Sequence, residues 1–252
     1  MNAPARIICC VLLLTLAAGA ESSPTLHRRD AGMREEFDSL DAWKPLTFPK
    51  IGKQTRYSVQ ILENRTVLKA EAAASASGLV MNRPFNPYKT PVLRWRWRVE
   101  NVFKKGDATR KDGDDYPMRV YVLFTYDPEK ASFGMRAKYA LAKALYGETP
   151  PHASLNYIWA NRTHREHILP SPYTDRSQMI ILRAGSAETT QWIEEKVNIL
   201  EDYRAAFGED PPREARLAIM SDADNTGESA VGFMDYIELR EASSGMPTRK
   251  NF

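Results

Sequence analysis

The stretch Leu93-Arg94-Trp95-Arg96-Trp97-Arg98-Val99-Glu100 decides the fold class. Apolar and charged residues alternate through it without a break, and a period of two sends successive side chains to opposite faces of a strand. Leu93, Trp95, Trp97 and Val99 then share a buried face, while Arg94, Arg96, Arg98 and Glu100 share a wet one. That is the pattern of a sheet covered on one side only. Residues 118–126 repeat it, with Met118, Val120, Val122, Phe124 and Tyr126 inward. Segments 57–62 and 66–72, joined by Glu63-Asn64-Arg65, read as a hairpin. Further strands are expected over 77–81, 155–159, 178–183, 192–197, 216–220 and 230–239. Many short strands separated by turns predict a mainly β, antiparallel sandwich.

Two helical insertions interrupt this pattern. Over 132–146, Phe133, Ala137, Ala140, Leu141, Ala144 and Leu145 recur at helical spacing, with Ser132 as N-cap and Gly147 as stop. The second runs over 199–207 and ends at Gly208, with Pro211-Pro212 beyond. Between residues 34 and 241 no composition shift or repeat marks a linker, so one domain is expected, with a polar tether at 21–33 and a loose tail at 242–252.

The amino-terminal segment has the layout of a signal peptide. Arg6 precedes an apolar run over 7–18, and Ala18-Gly19-Ala20 supplies the small residues of a cleavage site. The run is shorter than the roughly 20 residues a membrane span needs, so no anchor is expected after cleavage. Cleavage at Ala20 also removes Cys9 and Cys10, the protein's 2 cysteines, and with them any disulfide or thiol chemistry. The expected address is periplasmic or extracellular. A net charge of +3 with 27% charged residues describes a mixed surface, which by itself calls for no nucleic acid.

Three segments together carry a family resemblance: Trp95-Arg96-Trp97-Arg98-Val99; Lys111-Asp112-Gly113-Asp114-Asp115 leading into Arg119-Val120-Tyr121-Val122-Leu123-Phe124; and Asp222-Ala223-Asp224-Asn225-Thr226-Gly227. The chain resembles the bacterial domain-of-unknown-function family number 3047 from about residue 37 to 239. The resemblance implies an envelope protein and brings no catalytic residues. A looser likeness is to jelly-roll carbohydrate-binding modules, carried by Phe37-Asp38-Ser39-Leu40-Asp41-Ala42-Trp43 and by Phe233-Met234-Asp235-Tyr236-Ile237-Glu238-Leu239. It adds a jelly-roll expectation for the sandwich at the level of fold alone.

Within this frame the acidic segments are the first candidates. Asp112, Asp114 and Asp115 lie between two strands with Arg119 behind them, and three readings compete. Crowded oxygen ligands suit calcium. Asp114 and Asp115 with Arg119 could bind a ligand, or a carboxylate pair split by the guanidinium could do acid–base work. A solvated loop balanced by Lys104, Lys105, Arg110 and Lys111 would do neither. The run from Asp222 to Gly227 offers Asp222, Asp224 and Asn225 to a metal, but its twelfth place is Phe233 where a helix-loop-helix calcium site has Glu. A tight turn explains the same residues. Arg94, Arg96 and Arg98 could meet anionic sugar or phosphate groups, or be covered by cross-strand acids. Tyr157 and Trp159 alternate onto one face and are expected in the core rather than on a sugar. His164 and His167 share a face only if 163–167 is helical, and two arginines beside them oppose a zinc ion. His152 falls on a loop.

The leading expectation is an exported, non-catalytic module that binds carbohydrate or another anionic ligand. The alternatives are a polysaccharide-acting hydrolase or lyase built on the acidic cluster, and a structural or assembly partner in the envelope.

Overall fold

The computed structural model describes residues 32–129 and 151–242 and, between them, Phe133, Gly134, Arg136, Tyr139 and Ala140. The expected signal segment, most of the tether, the tail beyond residue 242 and most of the predicted helix over 132–146 lie outside the described residues. Among the described residues thirteen strands follow one another: Met33–Glu35 (β1), Trp43–Leu46 (β2), Arg56–Leu62 (β3), Arg65–Ala73 (β4), Ala76–Met81 (β5), Val92–Val99 (β6), Arg119–Phe124 (β7), Ala153–Ala160 (β8), Ile168–Ser171 (β9), Thr174–Ala184 (β10), Ile193–Asn198 (β11), Ala215–Asp222 (β12) and Ser229–Arg240 (β13). The helix Ile199–Phe207 (α1) stands between β11 and β12. The Asn198 side chain accepts from the N–H groups of Leu200 and Glu201 at its start, and Gly208, in the left-handed region, ends it.

The strands form two sheets. One has the order β11-β6-β13-β4-β3 with β1 added on β13, and the other the order β2-β5-β12-β7-β8-β10-β9. Their facing sides share one core, to which β6 gives Leu93, Trp95, Trp97 and Val99, and β7 and β8 give Val120, Val122, Phe124, Leu155, Tyr157 and Trp159. The indoles interlock across it. Trp95 lies 5.5 Å from Tyr157, and Trp97 5.8 Å from Trp159. Both Trp97 and Trp159 find acceptors for their ring N–H, in Glu195 and in the Gly185 carbonyl. Burial of these large rings supplies much of the apolar area on which the fold rests, although the Trp95 ring N–H is buried without a partner.

Four expectations need correction. The pairing is not wholly antiparallel: the chain leaves β8, passes to the sheet edge as β9 and turns back inside it, so β10 runs parallel to β8. The hairpin turn is two residues long, because Glu63 and Asn64 both take positive φ and Arg65 already pairs with Leu62. Met33, assigned to the tether, pairs with Leu239 on the sheet edge. Tyr126 is not a core residue, since β7 ends at Phe124 and the ring stacks on Tyr139 instead.

Candidate functional site

The two acidic segments, more than a hundred residues apart in sequence, meet at one end of the β7–β12 pair. Met220 stands opposite Arg119 in register, which carries Asp222 to the loop that enters β7. There the Tyr116 N–H donates to Asp222 Oδ1 at 3.1 Å, and the Asp222 N–H donates to the Tyr116 carbonyl at 3.2 Å. Asp222 Oδ2 forms an ion pair with Arg119, and both side chains are buried. Asp114 Oδ1 lies 3.8 Å from the same guanidinium. The rings of Tyr116 and Tyr121 lie 4.9 and 5.4 Å from it.

Asp115 binds the opposite turn. Its Oδ1 accepts from the backbone N–H and the side-chain amide of Asn225, and its Oδ2 accepts from the Thr226 N–H at 2.6 Å. The turn can accept this clamp because Gly227 closes it at φ 70. Asn161, from the end of β8, donates to the Asp115 carbonyl at 2.6 Å. The carboxylate oxygens of Asp115, Asp222 and Asp224 come within 4.8 Å of one another. Tyr173, in the turn between β9 and β10, closes the edge. Its hydroxyl lies 2.9 Å from Asn225 Oδ1 and 3.2 Å from the Lys111 carbonyl, and its ring is 55% exposed.

Charge is out of balance here. Asp114 and Asp222 share one guanidinium while Asp115 and Asp224 crowd against Asp222, and Asp114 Oδ1, although buried, has no hydrogen-bond donor. Burial raises the carboxyl of Asp222 well above the ordinary range, against the pull of Arg119. It also raises Asp114, again against Arg119, and Asp224, where Asp115 adds to the effect. Burial is the largest single influence on Arg119 and opposes its charge, but Asp222, Tyr121, Asp114 and Tyr116 together outweigh it, and the guanidinium holds its proton more firmly than an exposed one. The Tyr173 hydroxyl is raised by burial and by the acids of Asp114 and Asp224. Such a centre attracts a cation or hydroxyl donors, and oxygen ligands of this kind suit calcium.

The remaining expected residues lie elsewhere. Asp112 sits on an exposed turn, paired with Arg110, and does not join the centre. Arg94, Arg96 and Arg98 lie on the outer face of the other sheet, where cross-strand acids cover them. Arg94 pairs with Glu194, Arg96 with Asp235 at 2.9 Å, and Arg98 with Glu63 of the β3–β4 turn at 3.4 Å and with its own neighbour Glu100 at 2.8 Å. An extra residue in β13 at Asp235 places that carboxylate between Arg65 and Arg96. Tyr157 and Trp159 are buried. His164 and His167 share no helical face, because only a short non-helical connection joins β8 to β9. His152 is half-buried against Arg176, and burial followed by that guanidinium lowers its pKa. Tyr173 was not among the expected residues, since its role depends on a fold that brings position 173 to positions 111 and 225.

The fold and centre define a mainly β, two-sheet protein with a buried acidic cluster at one sheet end. The chain belongs to the family described as Protein of unknown function (DUF3047), which it matches over residues 41–238. Among curated proteins no match is found. Among solved structures it is similar to the glycoside hydrolase domain of Endo-D from Streptococcus pneumoniae, at 8% identity and TM-score 0.32, over 79% of this chain and 21% of that one. The chain thus spans about a fifth of that structure's length. It is also similar to a xylan-binding domain from Paenibacillus barcinonensis (10% identity, TM-score 0.35, covering 84% and 98%) and to a lectin from Bauhinia forficata (8% identity, TM-score 0.39, covering 85% and 100%). None of these likenesses decides what this chain binds. No helix among the described residues is long and apolar enough to cross a membrane.

Proposed function

We propose that the protein is an exported, non-catalytic, jelly-roll-like module that binds a carbohydrate at the rim of the acidic centre, over a calcium ion held by Asp115, Asp222 and Asp224. The observation that carries this reading is the convergence of the Asp115, Asp222 and Asp224 carboxylates within 4.8 Å of one another, with Asp114 and Asp222 sharing the Arg119 guanidinium and the exposed Tyr173 at their edge. A divalent cation would offset the excess of buried carboxylates. Sugar hydroxyls are suited to donate to the outer oxygens of Asp224 and Asn225, and a sugar ring to pack on the face of Tyr173. Export rests on Arg6, the apolar run and Ala18-Gly19-Ala20.

Binding is favoured over hydrolysis by the way the acids are held. Asp115 is fixed by the N–H groups of Asn225 and Thr226, and Asp222 by Arg119 and the Tyr116 N–H. A glycosidase instead needs two carboxyls facing each other about 5 to 10 Å apart across a bound sugar. An assembly role needs an apolar patch of several hundred Å². Among the described residues the large exposed apolar side chains are Ile61, Phe133 and Tyr173, on separate segments.

Calorimetric titration of the calcium-loaded protein with a panel of neutral oligosaccharides tests this reading. At least one is expected to bind, and Tyr173→Ala to weaken it roughly tenfold, the loss of about 1.4 kcal/mol of stacking and hydrogen bonding, without lowering the melting temperature. Equal affinity in parent and variant would contradict the assignment of the rim.

A further inference from the structure

The outer face of the seven-stranded sheet carries a second feature, at the other end of β7 and β12. Arg119 and Asp222 mark the acidic end, whereas Leu123 and Arg216 stand opposite each other four residues along β7, about 13 Å away at the rise of a strand. Here a cavity of about 670 Å³ opens over Lys44, Leu46, Leu123 and Arg216, with Tyr126 and Tyr139 in its wall. The two tyrosine rings stack face to face, 3.7 Å apart and within 4° of parallel. The volume lies in the range of small-molecule sites.

Cationic side chains line this cavity. Lys44, Arg136 and Arg216 line it, and no carboxylate does so among the described residues. Arg216 is anchored by donating through Nη1 to the carbonyl of Asn82 and, at 3.3 Å, to that of Met81, so its partners are neutral. The arginine row on the other sheet is different, for each guanidinium there meets a carboxylate. The Tyr126 hydroxyl is buried at the wall with no hydrogen-bond partner. An aromatic and aliphatic wall, the Arg216 guanidinium bonded only to carbonyls, the Lys44 ammonium on the exposed edge and the unpartnered Tyr126 hydroxyl fit a ring that bears an acid group.

We infer that this cavity is a second binding site, for a six-membered ring carrying a carboxylate, with the acid on Arg216 and Lys44 and the ring against Leu123 and Tyr126. A uronic acid unit of a glycan and a free aromatic acid share this chemistry. The uronate source rests on the carbohydrate reading above, while the site itself does not.

Titration of the full chain with a glucuronate disaccharide, its neutral glucose counterpart and benzoate tests the inference. At least one of the two acids is expected to bind, and the neutral disaccharide to bind this site at least roughly tenfold more weakly, as loss of a charge-assisted hydrogen bond predicts. Preference for glucuronate over benzoate assigns a glycan source, and the reverse a free aromatic acid. Lys44→Gln and Arg216→Gln should each weaken the acid roughly tenfold while leaving the calcium-induced rise in melting temperature unchanged. Because Arg216 also ties down the main chain, Lys44→Gln, on an exposed strand, gives the same readout without that burden. Undetectable binding of both acids, equal affinity for acid and neutral sugar, or acid affinity unchanged in Lys44→Gln overturns the site. A calcium response and rim binding that persist under those results leave the proposed function standing.

Discussion

Asp115 carries more of the acidic centre's structure than its neighbours do. Its carboxylate takes the Asn225 and Thr226 N–H groups together with the Asn225 amide, so Asp115→Ala leaves buried donors unmet. We expect a loss of roughly 3 kcal/mol in denaturant unfolding, at about 1 to 3 kcal/mol for each orphaned group. Asp224 has another role, being half-buried and raised by burial and by Asp115. A carboxyl raised in the folded state stabilises it fully below the unfolded value of about 4, and that contribution is lost as pH rises through the folded value. Without metal, the parent should therefore lose stability relative to Asp224→Asn as pH rises above about 4. Calcium should remove the difference, and parallel pH curves with and without calcium would count against the centre. Asp114, Asp115, Arg119, Asp222, Asp224 and Asn225 were legible as candidates because acids crowded into short turns are conspicuous. Their convergence was not, because it follows from the register of β7 on β12. Tyr173 and the unpartnered Tyr126 hydroxyl gave no local signal at all.

Strands read from alternation kept their faces. The apolar side of β6 is fully buried and its arginine side partly open, so Trp97→Ala should cost about 3 to 5 kcal/mol in thermal or denaturant unfolding, whereas Arg98→Ala should cost far less. Residues 199–207 announced their helix through Gly208 and the prolines beyond it, and Asn198→Ala should remove its cap at about 1 kcal/mol. What alternation could not reveal was strand order. The excursion through β9 that makes β10 parallel to β8 has no signature in period, since parallel and antiparallel strands both alternate. Short edge strands such as β1, β2 and β9 were missed for a related reason: with three or four residues each, they hold too few side chains to show a period. Gly232 illustrates a tertiary demand hidden in a strand. A Cβ there would sit 2.8 Å from the Pro117 carbonyl, so Gly232→Ala must push the acidic loop away from β13.

Across the whole molecule, two sheets enclose an aromatic core, and the outer face of one of them runs from an acidic end at Asp222 to a cationic end at Arg216. If the chain is exported as its first twenty residues suggest, mass spectrometry of the envelope fraction should find a mature protein beginning at Glu21, and an intact amino terminus there would refute cleavage. The central claim is that the acidic end holds a divalent cation. Thermal unfolding of the protein under a calcium titration, beside Asp224→Asn, tests it most directly. A ligand bound only by the folded state adds about 2.7 kcal/mol at a hundred times its Kd, which for a chain of this size is a rise of roughly 5 to 10 °C. The account predicts that rise in the parent and its loss or marked reduction in Asp224→Asn. A melting temperature that does not respond to calcium, or one that rises equally in both proteins, would contradict it.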